Sequence, residues 1–263
     1  MKTKANFCRS YNRLLVAALF SLSGLFLLAI PASAQAQQVK NIVLVHGAFV
    51  DGSGWRGVYD ILSKKGYNVS VAQIPLTSLK DDVDATNRLI DKQDGPVILV
   101  GHSWGGAVIS EAGINPKVAG LVFVAAFELD KGENCIQWIS SVPAPAESGI
   151  MAPDDKGFVY YDKVKFHAGF GADLSQAESD FMYASQKPIF AQCFADKVAD
   201  AGWKTKPSYG IVALNDKTLN PDLERKLYKR ANAKITEIKS SHVAFLSHPN
   251  EVAKVIIDAT LQK

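Results

Sequence analysis

Six short runs rich in Val, Ile and Leu recur along the chain, separated by amphipathic stretches, and this alternation restricts the fold more than any other feature. The runs are Asn41 to Val45 (NIVLV), Tyr67 to Ala72, Pro96 to Val100 (PVILV), Gly120 to Ala125 (GLVFVA), Tyr209 to Leu214 and Lys234 to Ile238. Such runs, bounded by turn residues, predict strands buried on both faces. Segments at Trp55 to Lys64, Asp82 to Asp91, Ser103 to Ala112, Pro221 to Arg230 and Asn250 to Leu261 supply the covering helices. Pro221 and Pro249 stand near helix starts, where a missing N–H is harmless. Strand and helix in alternation predict an α/β fold: a mostly parallel sheet with helices on both faces.

The alternation breaks between about residues 127 and 206, where no central strand can be read. This stretch holds Phe127, Trp138, Phe158, Tyr160, Tyr161, Phe166, Phe170, Phe181, Tyr183, Phe190, Phe194 and Trp203. The enrichment suits a helical lid over an apolar pocket, with part of the aromatic set packing the insertion onto the sheet. Phe49, Phe127 and Trp138 are the candidate pocket residues.

The first 34 residues stand apart from the globular pattern. Lys2, Lys4, Arg9 and Arg13 precede an apolar run from Leu14 to Ile30, then Pro31 and the small residues Ala32-Ser33-Ala34. That order predicts a cleaved secretory signal, a domain over residues 39–263, and a periplasmic or secreted protein without a stable membrane anchor. Beyond Ala34 the chain carries 25 basic and 26 acidic residues, so its apparent basicity belongs to the leader. No clustered basic surface points to a nucleic-acid partner. Cys135 and Cys193 remain, either as one bridge or as two buried thiols.

The chemistry gathers where strands end. Directly after PVILV comes Gly101-His102-Ser103-Trp104-Gly105-Gly106, which continues as a helix. A serine between strand and helix sits on a sharp turn, and small residues two before and two after let the backbone fold back. Ser103 is therefore the candidate nucleophile, with a helix N-terminus behind it that favours developing negative charge. Its proton needs a base, and the base needs an orienting acid. His242, in the loop after the last strand, is the candidate base in preference to His248, which precedes Pro249. Asp216, just past the fifth strand, is the candidate acid by chain order, with Glu128 as the rival beyond the fourth.

An oxyanion hole needs two backbone donors. Trp104 N–H is one, and Ala48 N–H in the loop His46-Gly47-Ala48-Phe49 is the other, with Phe49 as fallback. Gly52-Ser53-Gly54-Trp55-Arg56-Gly57 fits a dinucleotide-binding pattern, but it starts well past the first strand, and the second strand ends at Gln73 without the acid that would hold a ribose. No His-Glu-x-x-His or Cys-x-x-Cys spacing suggests a metal.

The segments NIVLVHGAF, GSGW, VGHSWGG, ALNDKTLNPDLE and SSHVAFLSHP together resemble the α/β-hydrolases across nearly all of the chain beyond the leader. Within that superfamily the sequence is similar to the small-lidded esterases that include plant methyl-ester hydrolases and hydroxynitrile lyases. The resemblance implies a triad on Ser103, Asp216 and His242, donors at Ala48 and Trp104, a helical lid and no cofactor. The lyases of that group typically carry threonine after the first histidine and lysine after the catalytic one. Gly47 and Val243 stand there instead, which disfavours cyanohydrin cleavage. The expectation is an exported serine hydrolase acting on small to medium apolar carboxylic esters. Lactone, amide or peroxyacid chemistry on the same triad is the alternative, and a non-catalytic binding protein on this fold is the alternative of another class.

Overall fold

The computed structural model describes residues 38–261, so the expected leader lies outside the described residues. β1 (Asn41–Val45), β2 (Asn68–Ala72), β3 (Val97–His102), β4 (Val118–Val124), β7 (Ser208–Ala213) and β8 (Lys234–Ile238) form one sheet in the order β2-β1-β3-β4-β7-β8. Every pairing within it is parallel. All residues of β1 and β3 are buried. Because successive side chains point to opposite faces, the sheet is covered on both. The edge strands differ: β2 exposes Asn68, and β8 exposes Lys234 and Glu237, polar groups that discourage edge-to-edge pairing.

Parallel neighbours need crossovers, and the helices provide them. α1 (Arg56–Lys64), α2 (Leu79–Asp91), α3 (Trp104–Ala112), α8 (Pro221–Arg230), the short α9 (Ala244–Ser247) and α10 (Pro249–Thr260) follow the strands, with α1 packed on α10 and α2 on α3. Sequence periodicity starts α2 at Asp82. The Ser78 side chain accepts from Asp81 N–H (3.0 Å), so the helix begins at Leu79. Asn220 caps α8 in the same way, ahead of Pro221. The chain enters at β1, crosses to β2, then returns past β1 to β3. This reversal leaves the ends of β1 and β3 side by side at a switch point, where open α/β sheets bind ligands.

The insertion after β4 carries α4 (Cys135–Ile139), β5 (Phe158–Val159), α5 (Phe166–Phe170), α6 (Gln176–Ala184), β6 (Ile189–Phe190) and α7 (Gln192–Ala195). β5 and β6 pair antiparallel, outside the main sheet. An aromatic cluster seats the insertion: Tyr161 lies 5.5 Å from Phe49 and 5.3 Å from Phe170 between ring centroids, and Phe166 lies 5.7 Å from Tyr183. Such edge-on pairs add to simple burial. Arg230 at the end of α8 sits between Trp138 and Trp203, 5.0 and 5.5 Å from their centroids, and bonds Glu133 at 2.5 Å. Cys135 and Cys193 are buried free thiols whose pKa burial pushes up, so both are poor nucleophiles.

Candidate active site

Ser103 joins β3 to α3 with φ +52° and ψ −120°, a left-handed conformation that strains any residue with a β carbon. Its backbone is held there. Ser103 N–H donates to Val124 O (3.2 Å), and its carbonyl accepts from Gly106 N–H (2.9 Å) and Phe127 N–H (3.3 Å). The glycines are required by contact: a β carbon on Gly101 would lie 2.5 Å from Gly105 O, and one on Gly105 would lie 2.7 Å from His46 O. Trp104 is the first residue of α3, so its N–H has no acceptor within the helix.

The Trp104 side chain is anchored by a residue that sequence reasoning missed. Its Nε1–H donates to Asp82 Oδ2 (2.7 Å), while Leu76 N–H donates to Asp82 Oδ1 (2.7 Å). Burial pushes the Asp82 carboxyl up to about 6 against the pull of these two donors. A second acid directly after Asp81 in the first turn of α2 reads as a dipole partner, and nothing local tells which one turns inward.

The loop after β1 abuts the serine, since a β carbon on Gly47 would lie 2.8 Å from Ser103 Cβ. Phe49 (φ +64°) spends its N–H on Lys187 O in the insertion (3.0 Å). That bond occupies the fallback donor, and Ala48 stays the candidate. His46 donates from Nδ1 to Gly47 O (2.9 Å) and accepts at Nε2 from Ile74 N–H (3.2 Å). Burial lowers its pKa to about 4, so it is a neutral brace.

His242 and Asp216 meet. His242 Nδ1–H donates to Asp216 Oδ2 at 2.5 Å, while Asp216 Oδ1 accepts from Thr218 N–H (2.7 Å) and Leu219 N–H (2.9 Å). Both side chains are fully buried, and His242 Nε2 engages no partner among the described residues. His102 donates from Nε2 to the His242 carbonyl (3.0 Å) with the two rings 4.7 Å apart, which sets the His242 loop beside the elbow. Burial and then the neighbouring His242 hold His102 well below the usual histidine range, so it stays neutral. His248 bonds Ser247 Oγ (2.8 Å), and His167 donates to Leu174 O (3.0 Å). Neither reaches the Asp216 carboxyl.

Glu128 is turned elsewhere. Its Oε1 accepts from Ser208 Oγ (2.5 Å), and burial pushes its carboxyl up to about 8. Asp173 of the insertion, also absent from the sequence reading, accepts from Ser241 at both N–H (2.8 Å) and Oγ–H (2.5 Å) and so fixes the residue before His242. Among the described residues no group of three His, Cys, Asp or Glu side chains is gathered for a metal.

An apolar cavity of about 380 Å³ is lined by Ile136, Ile139, Met151, Phe194, Leu219 and Leu223, among others. A second, of about 260 Å³, lies between the loop after β1 and α6, lined by Phe49, Leu174, Phe181, Met182 and Leu246, among others. They flank the site at the Asp216 loop and at the Phe49 loop, and neither is lined by Ser103 or His242. Of the candidate pocket residues, Phe49 lines the smaller cavity. Phe127 is packed in the core and Trp138 is covered by Arg230 and Lys226, so both lie outside the two linings.

Residues 42–255 match the model of the alpha/beta hydrolase family. The chain belongs to that family. A putative chloroplastic methylesterase of Arabidopsis thaliana is 25% identical over 87% of this chain and 74% of its own. A pyrethroid hydrolase of Sphingobium wenxiniae is 25% identical over 84% of this chain and 87% of its own. The crystal structure of polyneuridine aldehyde esterase superposes with a TM-score of 0.73 at 20% identity, covering 84% of this chain and 99% of that one. The chain is an alpha/beta hydrolase similar in sequence to plant methylesterases and to a pyrethroid hydrolase.

Proposed function

We propose that the protein is an exported serine esterase that cleaves small to medium apolar carboxylic esters through an acyl-enzyme. Ser103 attacks the ester carbonyl, and His242 Nε2 takes its proton and returns it to the leaving alcohol. Asp216 fixes the imidazole tautomer and stabilises the imidazolium. Ala48 and Trp104 N–H groups receive the oxyanion at the positive end of α3. Water activated by the same histidine then frees the acid.

The observation that carries this reading is the Asp216–His242 pair. An imidazole whose Nδ1–H is bound to a doubly anchored carboxylate, with Nε2 unengaged, is set to accept a proton there. The strained Ser103 backbone and the Gly47 contact bring nucleophile and oxyanion loop together. The apolar cavities beside the site favour esters with apolar arms, as do the names of the methylesterase and pyrethroid hydrolase relatives.

Intact mass after a fluorophosphonate, with peptide mapping and a panel of p-nitrophenyl esters, tests the reading. An adduct on Ser103, absent from Ser103→Ala, is expected. A folded protein that takes no adduct and hydrolyses no ester overturns it. Export is tested separately, by the N-terminal mass of protein recovered outside the cytoplasm, which should begin near residue 35.

A further inference from the structure

Glu224 lies on α8, on the same buried stripe as Leu223, Leu227 and Tyr228. A carboxyl on that face is costly unless its oxygens are satisfied. Oε2 accepts from Ala213 N–H (3.0 Å), at the last residue of β7. Ala213 O in turn accepts from Asp216 N–H (3.1 Å), so both acids are hitched to one residue. Oε1 is buried and meets no N–H or O–H donor among the described residues. What the carboxyl does touch is the carboxyl of Asp216, at hydrogen-bonding range.

Two acceptors in contact attract only if one of them carries a proton, because a pair of buried carboxylates cannot both ionise. Donor counts decide which one. Asp216 receives three, from Thr218 N–H, Leu219 N–H and His242 Nδ1–H, whereas Glu224 receives the single Ala213 N–H. The charge therefore settles on Asp216. Other groups near Glu224 do not alter this. Tyr228 exchanges both its hydrogen bonds with Ala126, and Arg225 is committed to Asp222 (2.7 Å) and Glu237 (2.6 Å).

We propose that Glu224 is held as the neutral acid and donates a hydrogen bond to Asp216, which makes it the positioning residue of the triad acid. The carbonyl oxygen accepts from Ala213 and the hydroxyl donates to Asp216, so every polar atom is satisfied. A fourth donor fixes the plane of the Asp216 carboxylate, so that His242 keeps its Nδ1–H aimed at Oδ2. Burial and the adjacent Asp216 charge both raise the Glu224 pKa well above the carboxylate range, in the same direction.

The inference rests on the triad reading, and its test separates the two. Glu224→Gln keeps an acceptor for Ala213 and a neutral donor for Asp216, whereas Glu224→Leu keeps volume alone. On p-nitrophenyl butyrate, E224Q is expected to retain kcat within about threefold, while E224L loses about 10- to 100-fold with KM unchanged, the size of a hydrogen bond to a charged group. Infrared spectra of wild type and E224Q should differ by a protonated-carboxyl carbonyl band. Equal losses in E224Q and E224L, full kcat in E224L, or coincident infrared spectra each overturn the proposal, and the last holds even if E224L does not fold. If wild type takes no fluorophosphonate on Ser103, the triad reading falls, and the infrared comparison still decides where the proton lies.

Discussion

The ends of the strands and the insertion contribute to the site in different ways. Ser103, Asp216, His242 and Ala48 all follow the carboxyl ends of sheet strands, those of β3, β7, β8 and β1. The insertion supplies none of them, yet it touches each of those loops. Lys187 O takes the Phe49 N–H, Asp173 grips Ser241, Gly169 O accepts from Thr218 Oγ1 (2.8 Å), and Phe194 stands 5.9 Å from the Trp104 ring. Phe170 also packs edge-on against His242 at 5.1 Å. The sheet presents the candidate reacting groups, and the insertion holds their loops in place. A cover that merely shut out water would need apolar contact alone, whereas the loops of Phe49, Thr218 and Ser241 are held by directed hydrogen bonds.

The contrast breaks most sharply at the serine. Ser103→Ala and His242→Ala should each lower turnover by about a millionfold. The melting temperature should stay near wild type in Ser103→Ala, which loses one hydroxyl, and fall in His242→Ala, which empties a buried site against His102 and Phe170 and takes a donor from Asp216. Steady-state kinetics beside calorimetry checks both halves. Loss of activity accompanied by collapse of the fold would mean that the elbow is a structural hinge first.

Next in size comes the insertion. Asp173→Ala leaves the Ser241 N–H and O–H without their acceptor, and each unmet buried donor costs about 1–3 kcal/mol. A fall in kcat of about 10- to 100-fold is expected, with KM for a small ester unchanged, because His242 moves while the cavities do not. A double-mutant cycle with Ser241→Ala should show coupling through the Oγ–H bond, which that substitution removes while it keeps the N–H bond. Additive losses would reduce the insertion to a cover.

What could be read from sequence follows the same division. Periodicity and turn residues locate strand ends, so Ser103, Asp216, His242 and the loop after β1 were legible from local pattern. Direction was not. Glu128 also follows a strand, but its side chain turns toward Ser208, and only the tertiary fold shows that. Composition places Trp138 in the pocket, although its ring is taken by cations from α8. The insertion defeats pattern reading because α4, α5 and α7 are five, five and four residues long, too short to show a period. Asp173 and Lys187 act through partners far away in sequence, so no local signal marks them. Glu224 did leave one, an acid on the apolar stripe of Leu223, Leu227 and Tyr228.

Glu128 tests the sheet side by pH. Burial raises its pKa from the ordinary 4.5 to about 8, so the native state holds a proton that the unfolded state has released between those limits. Stability is therefore fullest below about 4.5 from this group and falls as pH rises through 8, at about 1.4 kcal/mol per pH unit while one proton separates the states. Glu128→Gln should flatten that slope in denaturant titrations and leave kcat unchanged, because the carboxyl faces Ser208 and not His242. An altered kcat would restore Glu128 as a partner of the triad.

The smallest effect sharpens the comparison from the solvent side. Phe181 on α6 is 73% exposed although it lines the smaller cavity, so the fold gains little from it. Phe181→Ser should leave the melting temperature and kcat unchanged. Any ester arm that reaches this cavity loses part of one aromatic contact, about 1 kcal/mol, and KM for a long apolar ester should rise by less than about tenfold. Acetate esters, too short to extend from Ser103 to α6, should show no change. A KM shift on the long ester alone identifies the Phe49 side as the arm-binding side, and no shift on either assigns that role to the larger cavity beside Leu219.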